Sequence, residues 1–68
     1  MTVVTLNGER RELGEPATIA TAVEAAGADG RGVAVALDGE VVPRGQWETT
    51  EVRAGQQVEV LQAVQGGS

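Results

Sequence analysis

In TVVTLNGERREL, a β-branched run and a charged run flank Asn7-Gly8. A two-residue type I′ turn needs positive φ at both central positions, which Asn-Gly tolerates best, so the stretch predicts two antiparallel strands. After Gly14 and Pro16 the spacing changes: Ile19, Ala22, Val23 and Ala26 recur at helical intervals. They predict a short helix of about two to three turns, with Thr18 as its N-cap and Gly27 where a C-terminal cap belongs. ADGRG reads as a loop. VAVALDGEVV returns to a period of two, with Val33, Val35 and Leu37 on one face, Ala34 and Ala36 on the other, and a tight turn at Asp38-Gly39. PRGQWETTEVRAGQQ shows no clear period and is read as an irregular segment pinned by Trp47, with a turn at Ala54-Gly55-Gln56. VEVLQAVQ is the last strand.

The order strand, strand, helix, strand, irregular segment, strand predicts an α+β fold. A helix this short is stable only when packed, so it lies across one face of a mixed sheet of four to five strands. The first and last strands then pair in parallel in the middle, with the helix in the crossover. The expected organisation is one compact unit over residues 1–65 and a flexible Gly-Gly tail with Ser68 over residues 66–68.

The last strand carries a conflict of phase. Val58, Val60 and Val64 share a face that suits the helix, which leaves Leu61 and Ala63 on the other face beside Glu59 and Gln65. With one helix the second face of the sheet stays wet, so Leu61, Ala63, Ala34 and Ala36 are expected to form a modest apolar patch just upstream of the tail. That patch suits a docking surface, although scattered alanines and one leucine also occur on ordinary surfaces.

Composition narrows the chemistry. Sixty-eight residues hold one domain, and an apolar fraction of 41%, mostly Val and Ala with one Trp, makes a small β-branched core. Without cysteine there is no disulfide, thiolate metal site or iron–sulfur cluster. Ten acidic residues against five arginines and no lysine give a net charge of −5, which repels phosphate backbones and favours a basic partner, or simply solubility. No leader or long apolar run is evident, so the expectation is a cytoplasmic protein away from membranes.

With no histidine or cysteine, an active site within this chain is not expected. Glu48 and Glu51 read as solvated carboxylates rather than an acid/base pair or metal ligands. Arg44 and Arg53 read as isolated surface charges, Trp47 as a cover over the end of the core, and Gly8, Gly39 and Gly55 as turn glycines rather than a phosphate loop.

The ending VEVLQAVQGGS joins a strand directly to Gly66 and Gly67. Such an arm fits a narrow tunnel where any Cβ would clash, and it would deliver the α-carboxylate of Gly67. The order of elements, the stretch Val42, Pro43, Arg44 and Trp47, and the ending from Gly55 to Gly67 together resemble the thiamine-pathway sulfur carrier (ThiS) family, which is similar to ubiquitin in its β-grasp fold. The resemblance covers Met1 to Gly67. It implies that an E1-like adenylyltransferase of the ThiF type, using its own ATP and magnesium, activates Gly67. A sulfur donor such as a cysteine desulfurase then makes the thiocarboxylate, which a ThiG-type thiazole synthase consumes. Gly66 and Gly67 would enter the partner, and the carrier itself, expected to be monomeric, would bind no cofactor. A sulfur carrier of another pathway (molybdopterin, cysteine or a specialised metabolite) and a β-grasp docking module without chemistry stay open as alternatives.

Ser68 departs from the family's ending, because it ties the carbonyl of Gly67 into a peptide bond. A cloning residue, a precursor trimmed by a peptidase, and a divergent domain that no longer carries sulfur are the competing explanations.

Overall fold

The computed structural model describes residues 1–28 and 32–62. The expected Ala63, Gly66 and Gly67 positions, and Val64 of the core-facing set, lie outside the described residues. Strands β1 (Thr2–Leu6) and β2 (Glu9–Leu13) precede helix α1 (Ile19–Ala25), followed by β3 (Val33–Leu37), β4 (Glu40–Val41), a single 3-10 turn at Arg44–Gln46, and β5 (Gln57–Gln62). The five strands form one sheet in the order β2-β1-β5-β3-β4. β1 and β5 pair in parallel at its centre, Thr5 opposite Gln57 and Leu6 opposite Val58, while the other neighbours are antiparallel.

Both tight turns adopt the backbone their sequences predict. Asn7 and Gly8 have φ of 51° and 83°, and Asp38 and Gly39 have φ of 49° and 88°, the double positive φ of a type I′ hairpin. At the start of α1 the Thr18 hydroxyl accepts from Thr21 N–H at 3.2 Å. At its end Gly27 N–H donates to Glu24 O and Ala28 N–H to Val23 O, closing the helix as a Schellman motif around Gly27 at φ 79°. Arg11 reaches from β2 to donate to Ala25 O at 2.7 Å, placing a cation on the last turn of the helix.

The irregular segment has a specific task that its composition does not reveal. The first N–H groups of a helix have no partner within it. Here the Thr50 and Trp47 carbonyls accept from Ile19 and Ala20 N–H at 3.0 and 3.1 Å, and Val52 N–H returns to Ala17 O at 2.9 Å. The segment therefore anchors the start of the helix as well as covering the core. Trp47, 7% exposed, seals that end, and its indole N–H donates to Val42 O at 3.0 Å.

The core lies between α1 and one face of the sheet. Val4 and Leu6 of β1, Leu13 of β2, Val35 of β3 and Val58 and Val60 of β5 meet Ile19, Ala22 and Val23 of the helix there. Val33 and Leu37, expected on the same face as Val35, are only partly buried at the rim. Among the described residues no helix is long and apolar enough to cross a membrane, and no three carboxylates converge as a metal site.

Candidate functional site

The side of the sheet away from the helix is open, and strand register assigns its residues. Thr5 faces Arg10 and Gln57, and Val3 faces Glu12. Across β5 and β3, Leu61 lies opposite Ala34 and Glu59 opposite Ala36, and Ala36 in turn lies opposite Val41 of β4. Side chains directly opposite one another sit about 5 Å apart, so each of these pairs is in contact distance. The face thus divides into a polar half on β2 and β1 and an apolar half on β3, β4 and the end of β5.

Leu61, Ala34 and Ala36 fall together as the sequence predicts, with Leu61 69% and Val41 77% exposed. Val41 is the member that period and composition missed. The two-residue loop at Asp38-Gly39 fixes the hairpin register and puts position 41 opposite position 36. Ala34 and Ala36 have almost no side chain, so the surface between Leu61 and Val41 is flat. Glu59, opposite Ala36, interrupts it with one carboxylate. A flat apolar patch lacks the concavity of a small-molecule site.

Elsewhere, Arg44 lies over the Trp47 ring with its guanidinium carbon 5.8 Å from the ring centroid, so this arginine is tied to the core cover. Glu48 and Glu51 are both exposed. They belong to the segment that caps α1, away from the open face of the sheet.

β5 is gripped by side chains from both hairpin turns. Asn7 accepts from Val60 N–H at 2.7 Å and donates to Val60 O at 3.2 Å. Asp38 accepts from Gln57 N–H at 2.9 Å and from the Gln56 side chain at 3.0 Å, and Gln56 accepts in turn from Arg53 N–H at 2.7 Å. The bond from the Gln57 backbone, followed by that from Gln56, holds the Asp38 carboxyl below the usual aspartate range. Because folding lowers this pKa, the stability it contributes is complete at neutral pH and is lost as pH falls below about 4 and through the folded value. Asp38→Asn is therefore expected to lower the thermal midpoint at neutral pH and to match the parent chain in strong acid. A gap between the two that stays constant down to about pH 2 would remove the carboxylate from the account.

The chain matches a known group along nearly its whole length. The ThiS family model matches residues 4–67. The chain belongs to the ThiS family. The crystal structure of the thiamine biosynthesis protein (ThiS) from Geobacter metallireducens is similar to it, with a TM-score of 0.76 and 29% identity over 97% of this chain and 100% of that one. No curated protein matches. Its five-stranded mixed sheet and single helix are the β-grasp fold of this ThiS neighbour. The patch at Leu61, Ala34, Ala36 and Val41 lies on β5, β3 and β4 of this fold.

Proposed function

We propose that this chain is a sulfur carrier of the thiamine pathway and not an enzyme: it presents the carboxylate of Gly67 to partner enzymes that carry out the chemistry. The single observation behind this reading is that the ThiS family match runs through the whole domain and reaches Gly67. A carboxylate is a poor electrophile until one of its oxygens leaves easily. In the proposed first step a Gly67 carboxylate oxygen attacks the α-phosphorus of ATP on an E1-like enzyme, pyrophosphate departs, and an acyl adenylate forms. The persulfide of a donor such as a cysteine desulfurase then attacks the acyl carbon and AMP leaves, giving an acyl disulfide. A thiol reductant cleaves its S–S bond, so that the donor cysteine departs as a thiol and the reductant is oxidised to its disulfide. The resulting thiocarboxylate is delivered to thiazole synthase.

ATP and magnesium belong to the activating enzyme. This chain contributes reach and address: the two glycines thread where a Cβ would clash, and the open face docks. Leu61, Val41, Ala34 and Ala36 supply the apolar contact, Ala63 is expected to extend it, and the Glu59 carboxylate favours a basic group on the partner.

The test is the intact mass of the protein isolated from its native cells. The expected species ends at Gly67, with a fraction heavier by the exchange of one oxygen for sulfur. The same measurement on Leu61→Glu, which puts a charge in the middle of the patch without touching the core, should show that fraction reduced by about tenfold or more. An unmodified chain in every sample would favour a docking module without chemistry. An unchanged fraction in Leu61→Glu would remove the open face from the mechanism.

A further inference from the structure

We propose that Asn7 is a positioning residue that aims the C-terminal tail. The inference rests on the reading of Gly67 as the delivered group. β1 ends at Leu6, while its central partner β5 runs on to Gln62. In their parallel ladder Thr5 N–H donates to Gln56 O at 3.0 Å and Asn7 N–H to Val58 O at 2.9 Å. If β1 continued, Val60 would next receive an acceptor from residue 7 and a donor from residue 9. The chain turns away at Asn7 instead, and the Asn7 side chain supplies both: its Oδ1 takes Val60 N–H and its Nδ2 donates to Val60 O. The carboxamide thus carries the ladder one step past the end of the strand.

The turn alone does not call for asparagine here, since Gly and Asp also tolerate positive φ in a type I′ hairpin. The second turn makes the comparison. Asp38 has nearly the same φ, 49° against 51°, but faces two donors, and a carboxylate stands there. Asn7 faces one donor and one acceptor, and a carboxamide, the side chain that offers both, stands there. In each turn the side chain matches what β5 presents to it.

Beyond Val60, β5 is paired on the β3 side through Leu61 and Gln62. On the β1 side Asn7 makes its last hydrogen bond among the described residues. Gly67 is the seventh residue after Val60, at most about 24 Å of chain away. The direction in which β5 leaves Val60 sets where that stretch begins, and a displacement of about 1 Å at a reacting centre can lower turnover about a hundredfold.

Asn7→Gly keeps a turn-competent Gly-Gly pair and deletes both bonds to Val60. Asn7→Asp keeps the turn and one acceptor but removes the donor. Asp38→Asn perturbs the opposite end of β5. Each chain, ending at Gly67, is assayed for adenylation with the E1-like enzyme of the same cells. NMR relaxation of the Leu61 and Gln62 amides is recorded without the enzyme. Asn7→Gly and Asn7→Asp are expected to lower kcat by about tenfold or more with KM unchanged, and to loosen both amides. Asp38→Asn should leave kcat, KM and these amides as in the parent. Unchanged kcat in both Asn7 variants, or amides as rigid as in the parent, would overturn the proposal. A parent chain that is not adenylated at all would refute the carrier reading instead, and the relaxation data would still decide whether Asn7 orders the exit of β5.

Discussion

A chain that stops at Gly67 is expected to be adenylated by its activating enzyme, and the 68-residue chain ending in Ser68 is expected not to be. The contrast is close to all-or-none because it concerns the nucleophile itself. At a free terminus Gly67 offers a carboxylate whose oxygen can attack phosphorus. With Ser68 attached, that carbonyl is a neutral amide into which the next nitrogen's lone pair is delocalised, and it has no carboxylate oxygen to form a stable phosphoric anhydride. The Ser68 carboxylate lies one residue further on and would carry a hydroxymethyl group where the proposed mechanism places a glycine. Pyrophosphate release measured side by side for the two chains decides the matter. Equal rates would show that the terminal glycine is not the activated group, whatever the family resemblance implies.

Trp47→Ala is expected to destabilise the fold by about 3–5 kcal/mol. The total stability of a chain this size is of the order of 3–10 kcal/mol, so the variant should retain little of it. Three connections fail together. The largest side chain of a core otherwise built from Val, Ala, Leu and Ile is lost, leaving a cavity under the 42–52 segment. Val42 O loses the indole donor. The segment whose Trp47 and Thr50 carbonyls hold the first N–H groups of α1 loses its anchor. Trp47→Phe separates these contributions, since it keeps most of the packing and should cost about 1–3 kcal/mol through the unpaired carbonyl and the smaller ring. Urea unfolding followed by circular dichroism measures both variants. A midpoint for Trp47→Ala close to the parent would mean that the indole merely lies over the core.

Much of this architecture is legible because its signals are local. Asn7-Gly8 and Asp38-Gly39 announce their turns through the rarity of positive φ, and Thr18 and Gly27 bound the helix by caps that act within a few residues. Even the central parallel pair follows from strand order, since the hairpin and the last strand must share one core. What escapes are contacts whose partners lie far apart in the chain. The bonds from Asn7 to Val60 span 53 positions, and nothing near Asn7 distinguishes them from an ordinary turn. The capping of α1 by the Thr50 and Trp47 carbonyls uses backbone atoms that every residue has, so no residue type marks it. Val41 was within reach, because a two-residue loop dictates which residues face each other, and reading register together with period would have added it to the patch. The resemblance that names the family drew on motif and ending, which period and composition alone do not supply.

The position of β5 also bears on how the protein is made. It is the central strand of the sheet and, among the described residues, the last element along the chain. Until Gln62 has cleared the ribosome, β1 lacks its parallel neighbour, β3 has only the two-residue β4 beside it, and the core under the helix lacks Val58 and Val60. Small domains with such long-range pairing close late, after the whole chain is available. A nascent or prematurely terminated chain therefore has neither a finished core nor the Leu61 end of the docking face. Closure of the core and completion of the proposed docking face become a single event.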